Sequence, residues 1–131
     1  MLRNLLLLLA TLLPLYAFAE MVAIEKGTYK INGVTSHYVL EVDEADIKMM
    51  PKIDPIKDEL SMSINKAINI ALSAYKEKYE PEPWGLASVS LNHFPSRDYK
   101  DRWYYKVDIF GNPNANVVVL LNEKVVFPRI Y

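Results

Sequence analysis

The sequence predicts an α+β domain, with one long amphipathic helix packed on an antiparallel sheet of about four to five strands and a β-hairpin in front. Three observations carry that expectation. Apolar residues recur at three- and four-residue spacing over one stretch, residues 62–79. Runs that alternate apolar and polar residues stand on both sides of it. Strands are grouped around the helix instead of alternating with helices, which argues against a parallel sheet.

The elements follow in chain order. Thr28-Tyr29-Lys30-Ile31 leads into Asn32-Gly33, a dipeptide suited to the positive φ angles of a tight hairpin turn. Beyond it Val34, Tyr38, Leu40 and Val42 share one face, with Thr35, His37 and Glu41 on the other; Val39 interrupts that second, polar face, which implies partial cover. Residues 43–59 are crowded with charge and interrupted by Pro51 and Pro55, so they read as a connection, with a helical turn available at 46–50. The helix places Leu60, Ile64, Ala67, Ile68, Ala71, Tyr75 and Tyr79 on one stripe. Ser61 or Ser63 can cap its start, Lys76 and Lys78 suit its last turn, and Pro81 and Pro83 stop it. In residues 87–94 Ala87, Val89 and Leu91 alternate with Ser88, Ser90 and Asn92, the pattern of a half-buried strand. A polar loop over 93–101 follows. Trp103, Tyr105, Val107 and Ile109 then alternate with Tyr104, Lys106 and Asp108, and the first set is expected to face the helix. Residues 111–114 make a turn. Residues 117–121 are continuously apolar, as in a strand covered on both faces. A reversal at 122–124 leads to Val125-Val126-Phe127, and Pro128 ends the pairing.

Residues 1–19 read as a cleaved signal peptide. Arg3 charges a short first region, residues 5–17 are mostly Leu and Ala, and Ala17-Phe18-Ala19 supplies the small-x-small cleavage pattern before Glu20. A bilayer-spanning helix needs about 20 apolar residues, more than this Pro14-interrupted run provides, so stable membrane insertion after cleavage is not expected. The expected product, residues 20–131, is a single small domain, exported to a periplasm or to the medium, and its composition suits a bacterial source. Of 15 basic residues the loss of Arg3 leaves 14 against 16 acidic, a net charge of −2, which argues against nucleic acid as a partner. With no cysteine in the chain, apolar packing must replace disulfides, and thiolate metal sites and cysteine catalysis are excluded.

No residue pattern calls for a cofactor, a metal or a catalytic centre. His37 and His93 are far apart and lack a ligand spacing. Ser88 and Ser90 lie in an alternating strand, with no nucleophile elbow. The four glycines are isolated, so no phosphate-cradling loop exists. What remains is aromatic: Trp84, His93, Phe94, Arg97, Arg102 and Tyr104 form the candidate partner-binding surface, because exposed aromatics beside arginine are typical interface anchors. Trp84 and Tyr104 have a second reading, as cover for the core and for the outer side of the sheet.

Residues 61–127 resemble the PepSY-type module, with cystatin-like folds as a more distant comparison. The likeness rests on Lys66-Ala67-Ile68 through Ala71, on Trp103-Tyr104-Tyr105-Lys106-Val107, and on the closing hairpin from 117–119 into Lys124-Val125-Val126. It covers about half of the chain, and Glu123-Lys124 stands where that family's closing turn usually carries glycine. The resemblance implies an exported, non-catalytic module, some members of the class being thought to inhibit peptidases. The leading expectation is therefore an exported module that engages a protein partner through the outer face of the sheet or the 93–102 loop. The alternatives are a small-ligand carrier with a pocket between helix and sheet, and an enzyme of unknown type.

Overall fold

A computed structural model describes residues 20–79 and 82–131. The expected signal peptide and Pro81 lie outside the described residues. The chain is α+β, as expected, but its strands form two antiparallel sheets where one was anticipated. In chain order the elements are β1 (Met21–Ile31), β2 (Val34–Asp43), α1 (Glu44–Met49), α2 (Ile64–Lys78), β3 (Gly85–His93), β4 (Trp103–Phe110), β5 (Ala115–Leu120), β6 (Val125–Val126) and β7 (Arg129–Ile130). The first sheet has the order β1-β2-β7 and the second β3-β4-β5-β6.

The hairpin turns at Asn32-Gly33, with φ of 51° and 81°, the left-handed conformation for which this dipeptide is suited. Asp43 caps α1 by accepting the Ala45 N–H, so the turn anticipated at 46–50 is a short helix beginning two residues earlier. In α2 it is Ser63, of the two serines considered, that caps the helix: its Oγ accepts the Lys66 N–H at 3.1 Å. Ala67, Ala71 and Tyr75 of the predicted stripe are buried; Ile64, at the entry of the helix, stays exposed.

Alternation assigns the two faces of the second sheet. Tyr105, Val107 and Ile109 pair with Val119, Val117 and Ala115 and share the side that faces α2. Tyr105 Oη donates to the Met62 carbonyl at 2.8 Å and Tyr75 Oη to the Pro113 carbonyl at 2.7 Å, which ties the helix at both ends. Tyr104, Lys106 and Asp108 pair with Leu120, Val118 and Asn116 on the opposite side. That side is dry where β5 crosses it, because the hairpin lies over it: Leu40 and Val42 are buried in the same core, and Glu25 of β1 forms a 2.7 Å ion pair with Lys106. The order of layers is thus hairpin sheet, four-stranded sheet, helix. Residues 117–120 lie in the middle layer and are fully buried, as their unbroken apolar run predicted.

Pro128 does end the β6 pairing, yet the chain then crosses to the first sheet. There β7 pairs with Tyr38 and Val39, Arg129 Nε donates to Glu41 at 2.8 Å, and the Tyr131 N–H donates to the His37 carbonyl at 3.0 Å. Val39 is buried on this far side of the hairpin, which accounts for the apolar interruption seen in the polar face of β2. The reversal before β6 places Glu123 at φ 74°, a conformation glycine adopts more readily. Glu123 forms an ion pair with Lys66 of α2, but both side chains are about half exposed, so the pair offsets little of that strain.

Candidate binding surface

β3 forms one edge of the second sheet and pairs only with β4. The Phe94 N–H donates to the Arg102 carbonyl at 3.0 Å, so by alternation Asn92, Ser90 and Ser88 turn their backbone groups toward β4. Val89 and Leu91 then present N–H and C=O outward, with no protein partner among the described residues. Natural sheets protect such edges with charge, proline, bulges or shortness. Edge strand β1 carries Glu25, Lys26 and Lys30; β6 and β7 have two residues each. By contrast, Gly-Leu-Ala-Ser-Val-Ser-Leu-Asn-His in β3 has neither charge nor proline, and its protection is a register shift between Leu86 and Ser88.

At the head of this edge three apolar side chains are exposed: Trp84 at 77%, Phe110 at 52% and Leu86 at 41%. Leu86 lies opposite Ile109, on the side that faces α2, whereas Phe110 alternates to the other side. The Trp84 N–H donates to the Phe110 carbonyl at 2.8 Å, which anchors its backbone to the end of β4. Gly85 lies opposite Phe110, and a Cβ built there would meet nothing within 4 Å, so the space beside the ring is open.

The far end of β3 is built differently. His93 packs edge-on against Trp103, with ring centroids 5.5 Å apart. Phe94 is fully buried and stacks at a tilt on Tyr104, 4.8 Å away. A single 3₁₀ turn, Arg97–Tyr99, closes the loop, and Tyr99 Oη donates to Glu44 of α1. The Arg102 side chain is only 13% exposed. It donates from Nε to the Met50 carbonyl at 3.3 Å and lies 3.1 Å from Asp101, whose own carbonyl accepts the Ile53 N–H. The loop is therefore fastened to α1 and to the connection behind it.

Of the six residues expected on one surface, Trp84, His93 and Arg97 are exposed. Two must be corrected. Phe94 is fully buried and Tyr104 is 7% exposed, because the hairpin lies on the face that the sequence suggested was free. Arg102 acts as a clamp inside the loop. Nor are the exposed three contiguous: nine strand residues at about 3.3 Å each separate Trp84 from His93 by ~30 Å. Leu86 and Phe110 were missed. Phe110 had left a signal, as an aromatic at the same parity as Lys106 and Asp108, where a wet face calls for polar residues.

Between the sheets lies a small polar layer. Tyr38 Oη donates to Glu25 at 2.7 Å, beside the Lys106 ion pair, and Ser88 Oγ donates to Asp108 at 2.7 Å. The other Asp108 oxygen is buried without a hydrogen-bond partner in the described structure. Ser88 has a carboxylate beside it and no imidazole: His37 stacks on Tyr131, and His93 lies at the far end of the strand on Trp103. Burial pushes Glu25 up, but the hydrogen bonds from Lys106 and Tyr38 outweigh it, and its carboxyl is held below the usual value. The hydrogen bond to Glu25, then burial, pushes Tyr38 up to about 12. The unfolded chain thus releases this proton first, near 10, so stability is full below that pH and falls as pH rises toward about 12. Thermal melts should show that decline, and Tyr38→Phe should make it shallower; a flat wild-type profile between these values would refute the assignment.

Among the described residues, no three His, Cys, Asp or Glu side chains come together as a metal site. Nor, among those residues, is any helix long and apolar enough to cross a membrane. The face of α2 toward the sheet is filled by Ala67, Ala71 and Tyr75 against Tyr105 and Val107. An open hollow of ≈ 670 Å³ lies instead on the outer flank of the helix, between Asn65, Asn69 and Ser73 on one side and Val125 on the other. No family model, curated protein or solved structure matches this chain.

Proposed function

We propose that this chain is an exported, non-catalytic module that binds a protein partner through the Trp84–Leu86–Phe110 end of the second sheet. The carrying observation is a tryptophan left 77% exposed, with its backbone anchored to the end of β4, where Phe110 is also half exposed. Ordered aromatics of this kind bury a large apolar area at small cost in side-chain entropy, which is why they dominate interface energetics. The resemblance of residues 61–127 to PepSY-type modules belongs to the same reading, and inhibition of a peptidase is one form such binding can take.

The test is capture from an extract of the native envelope or medium on the immobilised chain, followed by titration of the recovered protein. Trp84→Ala is expected to weaken that binding at least ~30-fold, the scale of an interface hot spot. Phe110→Ala should weaken it less. Equal affinity of the wild type and both variants would remove this surface from consideration.

A further inference from the structure

We propose that the β3 edge pairs with β3 of a second copy of this chain, joining two four-stranded sheets into one of eight. The edge is self-complementary in three respects. Its outward backbone groups belong to Val89 and Leu91, so an antiparallel copy presents donors and acceptors at the same parity. A two-fold axis perpendicular to the sheet keeps like faces together: Val89 and Leu91 continue the side facing α2, and Ser88 and Ser90 continue the side facing the hairpin. Finally, β3 carries no charged residue, so duplication opposes no like charges across the new ladder.

Side-chain matching selects the register. Opposing Val89 to Leu91 of the second copy pairs both apolar residues with apolar residues, and it sets Ser90 on the two-fold axis opposite itself. A shift of the axis by one residue toward either end would set Leu91 against Ala87 in the register shift, or Val89 against His93. The chosen register has a consequence for the binding surface. It carries Trp84 of one copy toward the His93–Arg97 turn of the other, bringing together exposed residues that one chain holds ~30 Å apart. Pairing itself does not depend on Trp84 binding a partner.

The absence of cysteine makes the test direct. Residues opposite each other in a non-hydrogen-bonded antiparallel pair have Cα atoms ~4.5 Å apart, within the range a disulfide spans. In the full chain, Ser90→Cys should therefore oxidise to a covalent dimer. Ser88→Cys, offset by four residues or ~13 Å from its copy, should not. Sedimentation should give a dimer for the wild type and for Trp84→Ala. Ser90→Lys, at an exposed position, should halve the mass while the chain still unfolds in one cooperative transition, and an equimolar mixture with Ser90→Glu should restore the mass. A monomeric wild type, a dimeric Ser90→Lys, or cross-linking at Ser88 in place of Ser90 would each overturn the pairing. None of these would bear on capture through Trp84, which is read separately.

Discussion

Replacing Tyr75 with alanine should cost about 3–5 kcal/mol, the range for removing a large aromatic from a packed core. Tyr75 is fully buried in the stripe that α2 turns to the sheet, and its ring lies 4.9 Å from that of Tyr79. Its hydroxyl reaches past the end of β4 to donate to the Pro113 carbonyl, so one side chain joins the helix to the β4–β5 turn. Gly111 is what lets it pass: a Cβ there would stand 2.2 Å from the Tyr75 oxygen and 3.2 Å from the Pro113 carbonyl. Domains of this size are stable by about 5–15 kcal/mol, so Tyr75→Ala should leave the chain near its folding threshold. Tyr75→Phe keeps the ring and loses the bond, and should cost ~1 kcal/mol. Gly111→Val should behave more like the alanine variant, since neither the hydroxyl nor the turn backbone has space to yield. Urea unfolding followed by circular dichroism ranks the three. A Tyr75→Ala midpoint close to that of wild type would show that the helix is held by other contacts.

The features legible in the sequence were those fixed by neighbours along the chain. Asn32-Gly33 marked the hairpin, spacing and Ser63 marked the helix, and the unbroken run at 117–121 marked a strand covered on both sides. The second sheet layer was not legible, and β4 shows why. Tyr104, Lys106 and Asp108 read as a solvent face because polar residues usually are one. Here Lys106 is paired with Glu25, the tyrosine packs on Phe94, and Asp108 is held on one oxygen by Ser88, so the face accepts a cover. Two-residue β7 is too short to register as a periodic pattern, and the charge crowded around α1 obscured where that short helix starts, two residues ahead of the turn anticipated. The candidate surface was legible in part for the same reason. Whether an aromatic such as Trp84 or Tyr104 is exposed depends on which distant element lies above it, and local alternation carries no record of that.

The hairpin's role as a layer of the core leads to the second large effect. Leu40 is fully buried, Val42 nearly so, and both belong to the core that also holds Tyr104, Val118 and Leu120. Leu40→Ala should cost about 2–5 kcal/mol, and Leu40→Asp should cost more, because a carboxylate placed there has no partner and resists desolvation. The chain has two ways to respond: bury the charge, or lift the hairpin away. Lifting it exposes Tyr104, Val118 and Leu120 together and breaks the Glu25–Lys106 pair, so undocking removes the cover from the middle layer as well. Neither response leaves a stable four-stranded remnant, and Leu40→Asp is expected not to fold, while Leu40→Ala should still unfold in one transition, displaced to lower denaturant. Hydrogen exchange on Leu40→Ala provides the check. Amides of β2 and β5 should lose protection together, as parts of one cooperative unit. If β5 amides kept their full protection while those of β2 exchanged freely, the hairpin would be an appendage, and the burial of Tyr104 would need a different cause.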